Sequence, residues 1–301
     1  MNAWMSLCLA LAPLVPEPQR DVDESEPVAF VPFTVPSYQL INSVSFSPDD
    51  QLLYCALLLR AVRKHRGLPV GEAPETGIFS ATRTADGWSE PELLPFSGTY
   101  GDYEPSLSPD GKLLVFNSKR PYSDGRVPES NDLWSVVRTQ DGWGEPERIE
   151  ALTSFDHEES YGTLTADRTL IYLRGLPDAD GELLYDLYQS RFVDGAFSAP
   201  TRHPVSTDRW GEGDACVAAD GSYMIFTRWD NDVGWGTTVD LYIAFAQEAG
   251  WSEPTPLEDL NTPGPDYSPA ISADGKWLYY RANSRFKRVP LDPILSWHRP
   301  I

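Results

Sequence analysis

Ser106-Leu107-Ser108-Pro109-Asp110-Gly111 reads as a strand running into a tight turn. The aspartate can accept hydrogen bonds from backbone amides ahead of it, and the glycine takes positive φ at no steric cost. Related segments stand at Ser45-Phe46-Ser47-Pro48-Asp49, Thr163-Leu164-Thr165-Ala166-Asp167, Val217-Ala218-Ala219-Asp220-Gly221 and Ile271-Ser272-Ala273-Asp274-Gly275. Their aspartates lie 61, 57, 53 and 54 residues apart, a period that marks equivalent supersecondary units. The aspartates are read as structural.

Each turn follows a strand, A, with one large apolar residue at a fixed place: Phe46, Leu107, Leu164, Val217 or Ile271. An apolar or aromatic strand B comes next, as in Lys112-Leu113-Leu114-Val115-Phe116. Strand C begins at Gly77-Ile78-Phe79, Asp132-Leu133-Trp134, Asp186-Leu187-Tyr188 and Asp240-Leu241-Tyr242. Strand D opens with Gly87-Trp88-Ser89-Glu90-Pro91, Gly142-Trp143-Gly144-Glu145-Pro146, Gly195-Ala196-Phe197-Ser198-Ala199-Pro200 and Gly250-Trp251-Ser252-Glu253-Pro254. Proline has no amide hydrogen for a ladder, so strand D is expected at the sheet edge, with its aromatic residues packing.

The fifth repeat has strands A and B and a strand C at Arg285 to Leu291, but no strand D signature follows. The apolar stretch Ala29-Phe30-Val31-Pro32-Phe33-Thr34-Val35 is expected to supply that strand and so remove an open sheet edge. The fold predicted is all-β: a five-bladed β-propeller of four-stranded antiparallel blades, closed by an N-terminal strand in the last blade. A six-bladed alternative would hide a degenerate blade in Val28 to Leu40 plus the long first B–C loop. Residues 1–27 read as an apolar leader and a disordered acidic linker, and residues 28–301 as a single propeller domain. Ten Trp, fourteen Tyr, twelve Phe, twenty-two Gly and twenty-seven Pro suit many short strands joined by tight turns.

The elements Glu104-Pro105-Ser106-Leu107-Ser108-Pro109-Asp110-Gly111-Lys112, Asp132-Leu133-Trp134 and Gly142-Trp143-Gly144-Glu145-Pro146 resemble the WD-type repeats of TolB-like propeller proteins. The resemblance covers Ala29 to Leu291. It implies an exported bacterial propeller that binds other proteins or cell-envelope components. It does not imply partnership in a Tol-type system.

A formal charge of −21 would repel phosphate backbones and anionic membrane surfaces, which need a cationic face. Neutral ligands, cations and basic protein surfaces remain. Met1 to Val15 is apolar and uncharged, like a signal peptide that lacks a basic start. Pro13 follows its one small-x-small site, Ala10-Leu11-Ala12, and the run is short for a membrane span. Export to the periplasm or outside the cell is therefore an expectation. Cys55 and Cys216 are placed in non-adjacent repeats and read as small buried side chains rather than a disulfide.

Eight residues before the anchor aspartates stand Ile41, Asp102, Glu159, Glu212 and Asp266; two places later come Ser43, Glu104, Tyr161, Asp214 and Ser268. Both sets are expected to ring one mouth of the channel. Strand B returns to that face with Arg60, Arg120, Arg174, Arg228 or Arg281 near its end, so acids and arginines should meet, as interblade salt bridges, a binding mouth, or both. Loops B–C share the face and carry Arg63-Lys64-His65-Arg66 and Trp229 to Trp235. Trp210, Trp229 and Trp235 beside carboxylates could form a sugar platform, or pack between blades.

Asp178-Ala179-Asp180-Gly181-Glu182 and Asp230-Asn231-Asp232 do not match the ligand spacing of an EF-hand, and the four histidines form no zinc motif. No Gly-x-Ser-x-Gly elbow is present. No catalytic residue, metal or cofactor is assigned. The reading is a monomeric, non-catalytic binding or scaffolding propeller with no nucleic acid partner and no integral membrane association. It meets a protein or carbohydrate ligand at the face of the D–A and B–C loops. The alternative is a glycan-active hydrolase using carboxylates at the channel mouth.

Overall fold

The computed structural model describes residues 26–33, 40–71, 74–154, 157–178, 181, 183–234, 239–283 and 285–300. They form five antiparallel sheets. In blade 1, strands A, B and C are Leu40–Phe46, Leu52–Leu58 and Thr76–Thr84. Blade 2 has Asp102–Leu107, Leu113–Ser118 and Asp132–Thr139; blade 3 has Glu158–Leu164, Thr169–Pro177 and Leu183–Val193. Blade 4 has Trp210–Val217, Tyr223–Asp230 and Asp240–Gln247; blade 5 has Asp266–Ile271, Trp277–Ala282 and Arg285–Pro290. The fold is the five-bladed propeller that the repeat predicts, and the described residues hold no sixth blade. The long first B–C loop instead holds a short helix, Leu59–His65.

The turn chemistry works as expected. Ser108 Oγ donates to Asp110 Oδ1 at 2.6 Å, and Lys112 N donates to the same oxygen at 3.1 Å. The pattern recurs with Ser47 and Gln51 on Asp49, Thr165 and Thr169 on Asp167, and Ser272 and Lys276 on Asp274. At Asp220 both donors come from Ser222. Burial opposes these bonds at all five aspartates, most at Asp110 and Asp274, yet they hold the carboxyls below the usual range.

Strand D lies outermost but is split. Gly87–Trp88 and Glu92–Leu93 both pair with strand C of blade 1, with the Ser-Glu-Pro segment between them. Blades 2, 3 and 4 repeat the split, because a proline there interrupts the ladder. The outer strand of blade 5 comes from the other end of the chain. Val28 pairs with Arg288 and Ala29 with Lys287, and Phe30 N donates to Phe286 O at 2.9 Å. Residues 34 and 35 of the expected strand lie outside the described residues.

Most of the core lies between blades. Trp88 packs into the cluster joining blades 5 and 1, Trp143 into that of blades 1 and 2, Phe197 into that of blades 2 and 3, and Trp251 into that of blades 3 and 4. These half-buried aromatics are packing residues, each adding less than the roughly 1.5–3 kcal/mol of a fully buried side chain. Blade 5 has no such residue. Leu291 and Ile294 of the helix Leu291–His298 enter the cluster of blades 4 and 5 in its place. Cys55 and Cys216 are both buried and free, as expected.

Candidate functional site

Strand A is not a regular strand. In blade 2 the register shifts between Tyr103 and Ser106, so that Glu104 and Pro105 together face Phe116. Similar two-for-one bulges place residues 161 and 162 against Tyr172, 214 and 215 against Phe226, and 268 and 269 against Tyr280. All four aromatic residues are fully buried. The first residue of each bulge has left-handed backbone: φ is 52° at Glu104, 53° at Tyr161, 44° at Asp214 and 53° at Ser268. That conformation costs a non-glycine residue on the order of 1–2 kcal/mol.

The bulge separates the two sets of candidates. An unbroken strand would put positions i and i+2 on one face. Instead Asp102, Glu159, Glu212 and Asp266 are fully buried in the protein and none of them lines the central cavity. Arg120 Nη2 lies 3.0 Å from Asp102, Arg174 Nε 3.1 Å from Glu159 and Arg228 Nη2 3.1 Å from Glu212. Asp266 is held by the amide and hydroxyl of Thr262. Burial pushes all four carboxyls up, Glu159 to about 7 and Glu212 to about 8, against the opposing pull of their partners.

The arginines also bridge repeats. Arg120 donates to Phe96 O at 2.7 Å and Arg228 to Val205 O at 3.0 Å, both on the preceding D–A loops. Their guanidinium groups stack over Phe116 and Phe226 respectively. Arg174 lies over Tyr188 and Arg281 over Tyr267. Blade 1 departs from this pattern: Ile41 replaces the acid, and Arg60 is exposed on the short helix.

A central cavity of about 220 Å³ runs along the second half of strand A, from Ser43, Glu104, Tyr161, Asp214 and Ser268 to the A–B turns at Pro48, Pro109, Ala219 and Ala273. The D–A and B–C loops do not line it. Asn117 Nδ2 donates to Glu104 Oε2, and Tyr161 bonds Glu104 from the next blade. Ser268 N and Oγ donate to Asp214 Oδ2 at 3.2 and 3.4 Å. Burial raises Asp214 to about 7 and Tyr161 well above the usual phenol range.

Of the tryptophans, Trp229 is buried with Leu173 and Val239, and Tyr161, Tyr185 and Tyr267 pack on them. Trp210 is half-buried, 5.9 Å from the Arg228 guanidinium. Trp235 lies outside the described residues. Asp230 to Asp232 form a turn closed by Asp232 N on Asp230 Oδ1 at 2.9 Å, and no cluster of three metal-ligating acids, histidines or cysteines occurs among the described residues. No described helix is long and apolar enough to cross a membrane.

Sequence reasoning missed the side chains that cap strand C. Ser97 Oγ accepts from Ile78 N at 2.9 Å, Ser206 Oγ from Leu187 N at 2.9 Å, and Asn261 Oδ1 from Leu241 N at 2.8 Å. Each lies in a D–A loop three or four residues after Leu94, His203 or Leu257, whose amides bond Ile78, Leu187 and Leu241, and with a histidine at one of these positions no uniform apolar signal marks them.

With this geometry in view, the chain superimposes on a protein of unknown function from Dyadobacter fermentans with a TM-score of 0.52. The two share 15% identity over 90% of this chain and 84% of the other. The likeness is one of fold. TolB from Acinetobacter baumannii gives a TM-score of 0.49 at 14% identity, over 84% of this chain and 54% of that one. A Hadza microbial sialidase gives 0.46 at 13% identity, over 85% of this chain and 66% of that one. No family profile matches the sequence, and no curated protein does.

Proposed function

We propose that this is an exported, non-catalytic binding or scaffolding propeller that meets a protein or glycan ligand in the cell envelope or beyond it. The observation that carries the reading is the buried acid–arginine pairing of blades 2, 3 and 4. Asp102, Glu159 and Glu212 are each buried against an arginine of their own blade, which supports a structural role for them over contact with a substrate. A glycosidase needs two carboxylates flanking a bound sugar. The cavity that does hold two, Glu104 and Asp214, is about 220 Å³, below the ~300–1,000 Å³ usual for small-molecule sites.

The B–C loop face offers a rigid platform for a partner, and the last turn of the helix Leu59–His65 adds Arg63, Lys64 and His65 to an otherwise acidic protein. The test is capture of partners from envelope extract on immobilised protein, with a variant in which Arg63, Lys64 and Arg66 are replaced by alanine. The expected result is a retained partner that the variant loses. Turnover of any glycan that depends on Glu159 or Glu212 would replace this reading with a hydrolase.

A further inference from the structure

We propose that the channel cavity binds a compact organic cation: an alkylammonium whose head sits between Glu104 and Asp214 and whose short aliphatic stem lies along the strand A wall toward the A–B turns.

Three observations converge. First, Glu104 and Asp214, each 5% exposed, are the charged residues lining the cavity, and no Lys, Arg or His lines it. Asp102, Glu159 and Glu212 face arginines, whereas the groups that hold Asp214 are the amide and hydroxyl of Ser268, which are dipoles rather than a countercharge. A buried carboxylate without a countercharge gains from a cation brought in by a ligand.

Second, further acceptors meet at that level. Asn117, buried and outside the lining, holds Glu104 in place through Nδ2. Tyr161 and Ser268 add hydroxyl oxygens to the lining. An ammonium has three donors and no acceptor, so it suits a site of carboxylates and hydroxyls.

Third, the wall beyond the carboxylates is apolar, with Leu107, Leu164, Val217 and Ile271. Methylene groups are stabilised there by about 0.8 kcal/mol each. Calcium would take some 6–8 oxygens and has no use for that wall.

Asp214 titrates near 7, with Tyr161 beside it, Glu104 and Tyr267 beyond, and Cys216 on its own strand. A Lys-like ammonium stays charged to about pH 10. Binding therefore strengthens as pH rises through 7.

The inference deepens the binding reading of the propeller but does not depend on its envelope partner. Isothermal titration of the whole protein with n-butylammonium chloride at pH 8 tests it, with 1-butanol and calcium chloride as parallel probes. Saturable binding of n-butylammonium is expected, at least tenfold weaker at pH 5.5 and in Asp214→Asn and Glu104→Gln. Thr163→Trp, which leaves both carboxylates in the sequence and adds an indole to the cavity wall, should abolish it and keeps the test open if a carboxylate variant unfolds. No saturable binding, equal binding of 1-butanol, displacement by calcium, or binding unchanged in folded variants would overturn the proposal. A partner still captured from envelope extract would then show that only this inference had failed.

Discussion

Arg228 Nη2 lies 3.1 Å from Glu212 Oε1, with the two side chains 8% and 0% exposed. Removing one member of such a pair leaves a charge buried without compensation, which costs ~3–5 kcal/mol, whereas replacing both by apolar groups is often neutral. Measured at pH 9, above the folded Glu212 value near 8, Arg228→Met should therefore lower the urea midpoint by that equivalent, and Arg228→Met with Glu212→Met should recover more than half of the loss. A double variant no more stable than the single one would contradict an ion pair that offsets its own burial.

The pH dependence has a worked sign. Glu159, Glu212 and Asp214 have folded values near 7, 8 and 7, above their ordinary 4.5, 4.5 and 3.8. Between those limits the folded state binds more protons, so their contribution is full below about pH 4 and is lost as pH rises to 8. The five turn aspartates have lowered values, so their contribution is present above 3.8 and is lost as pH falls below it. Self-repulsion at a charge of −21 adds to the alkaline loss. The melting temperature should peak near pH 5 and fall towards pH 8; a maximum at pH 8 would contradict these assignments.

Gly211 and Gly213 are the seats of Trp229. A methyl group on Gly211 would overlap its indole ring, and one on Gly213 would stand 2.6 Å from Leu173 Cδ1. Gly211→Ala should cost ~1–3 kcal/mol by overpacking, with a red shift of tryptophan emission as the ring moves out. Thermal melting and fluorescence together check it.

Ring closure rests on a short segment. Deleting the chain through Phe30 removes the pairing of Val28 and Ala29 and the contact of Phe30 with Tyr279 at 4.7 Å, and bares strand Arg285–Pro290. The truncated protein should melt lower and associate with increasing concentration in size-exclusion chromatography, because a bare strand edge is a template for pairing. A stable monomer would show that the helix Leu291–His298 alone seals the ring.

Blade number, strand order and ring closure were legible because they depend on local turn chemistry, a fixed period and the prolines of strand D. The site was legible only in part. Asp102 and Glu104 were read as neighbours on one face from the two-residue period, and the bulge at Glu104 and Pro105 breaks that period. Such a bulge needs no glycine here, so the sequence carries no local sign of it. The burial of Trp229 was open for a related reason: the space it fills is made by Gly211 and Gly213 on the neighbouring strand. The acid–arginine meeting was anticipated, because antiparallel strands return to the same end of a sheet.

At the bulges of blades 2 to 5 one backbone shape carries a carboxylate, a phenol, a second carboxylate and a hydroxyl at Glu104, Tyr161, Asp214 and Ser268. The left-handed turn is borne by four different side chains, so the backbone leaves the choice of residue open, while the contacts of Tyr161 with Glu104 and of Ser268 with Asp214 couple the choice in one blade to that in the next. The channel lining is in that sense modular in backbone and linked in chemistry, so that rewriting it, by selection or by design, means changing facing blades in pairs.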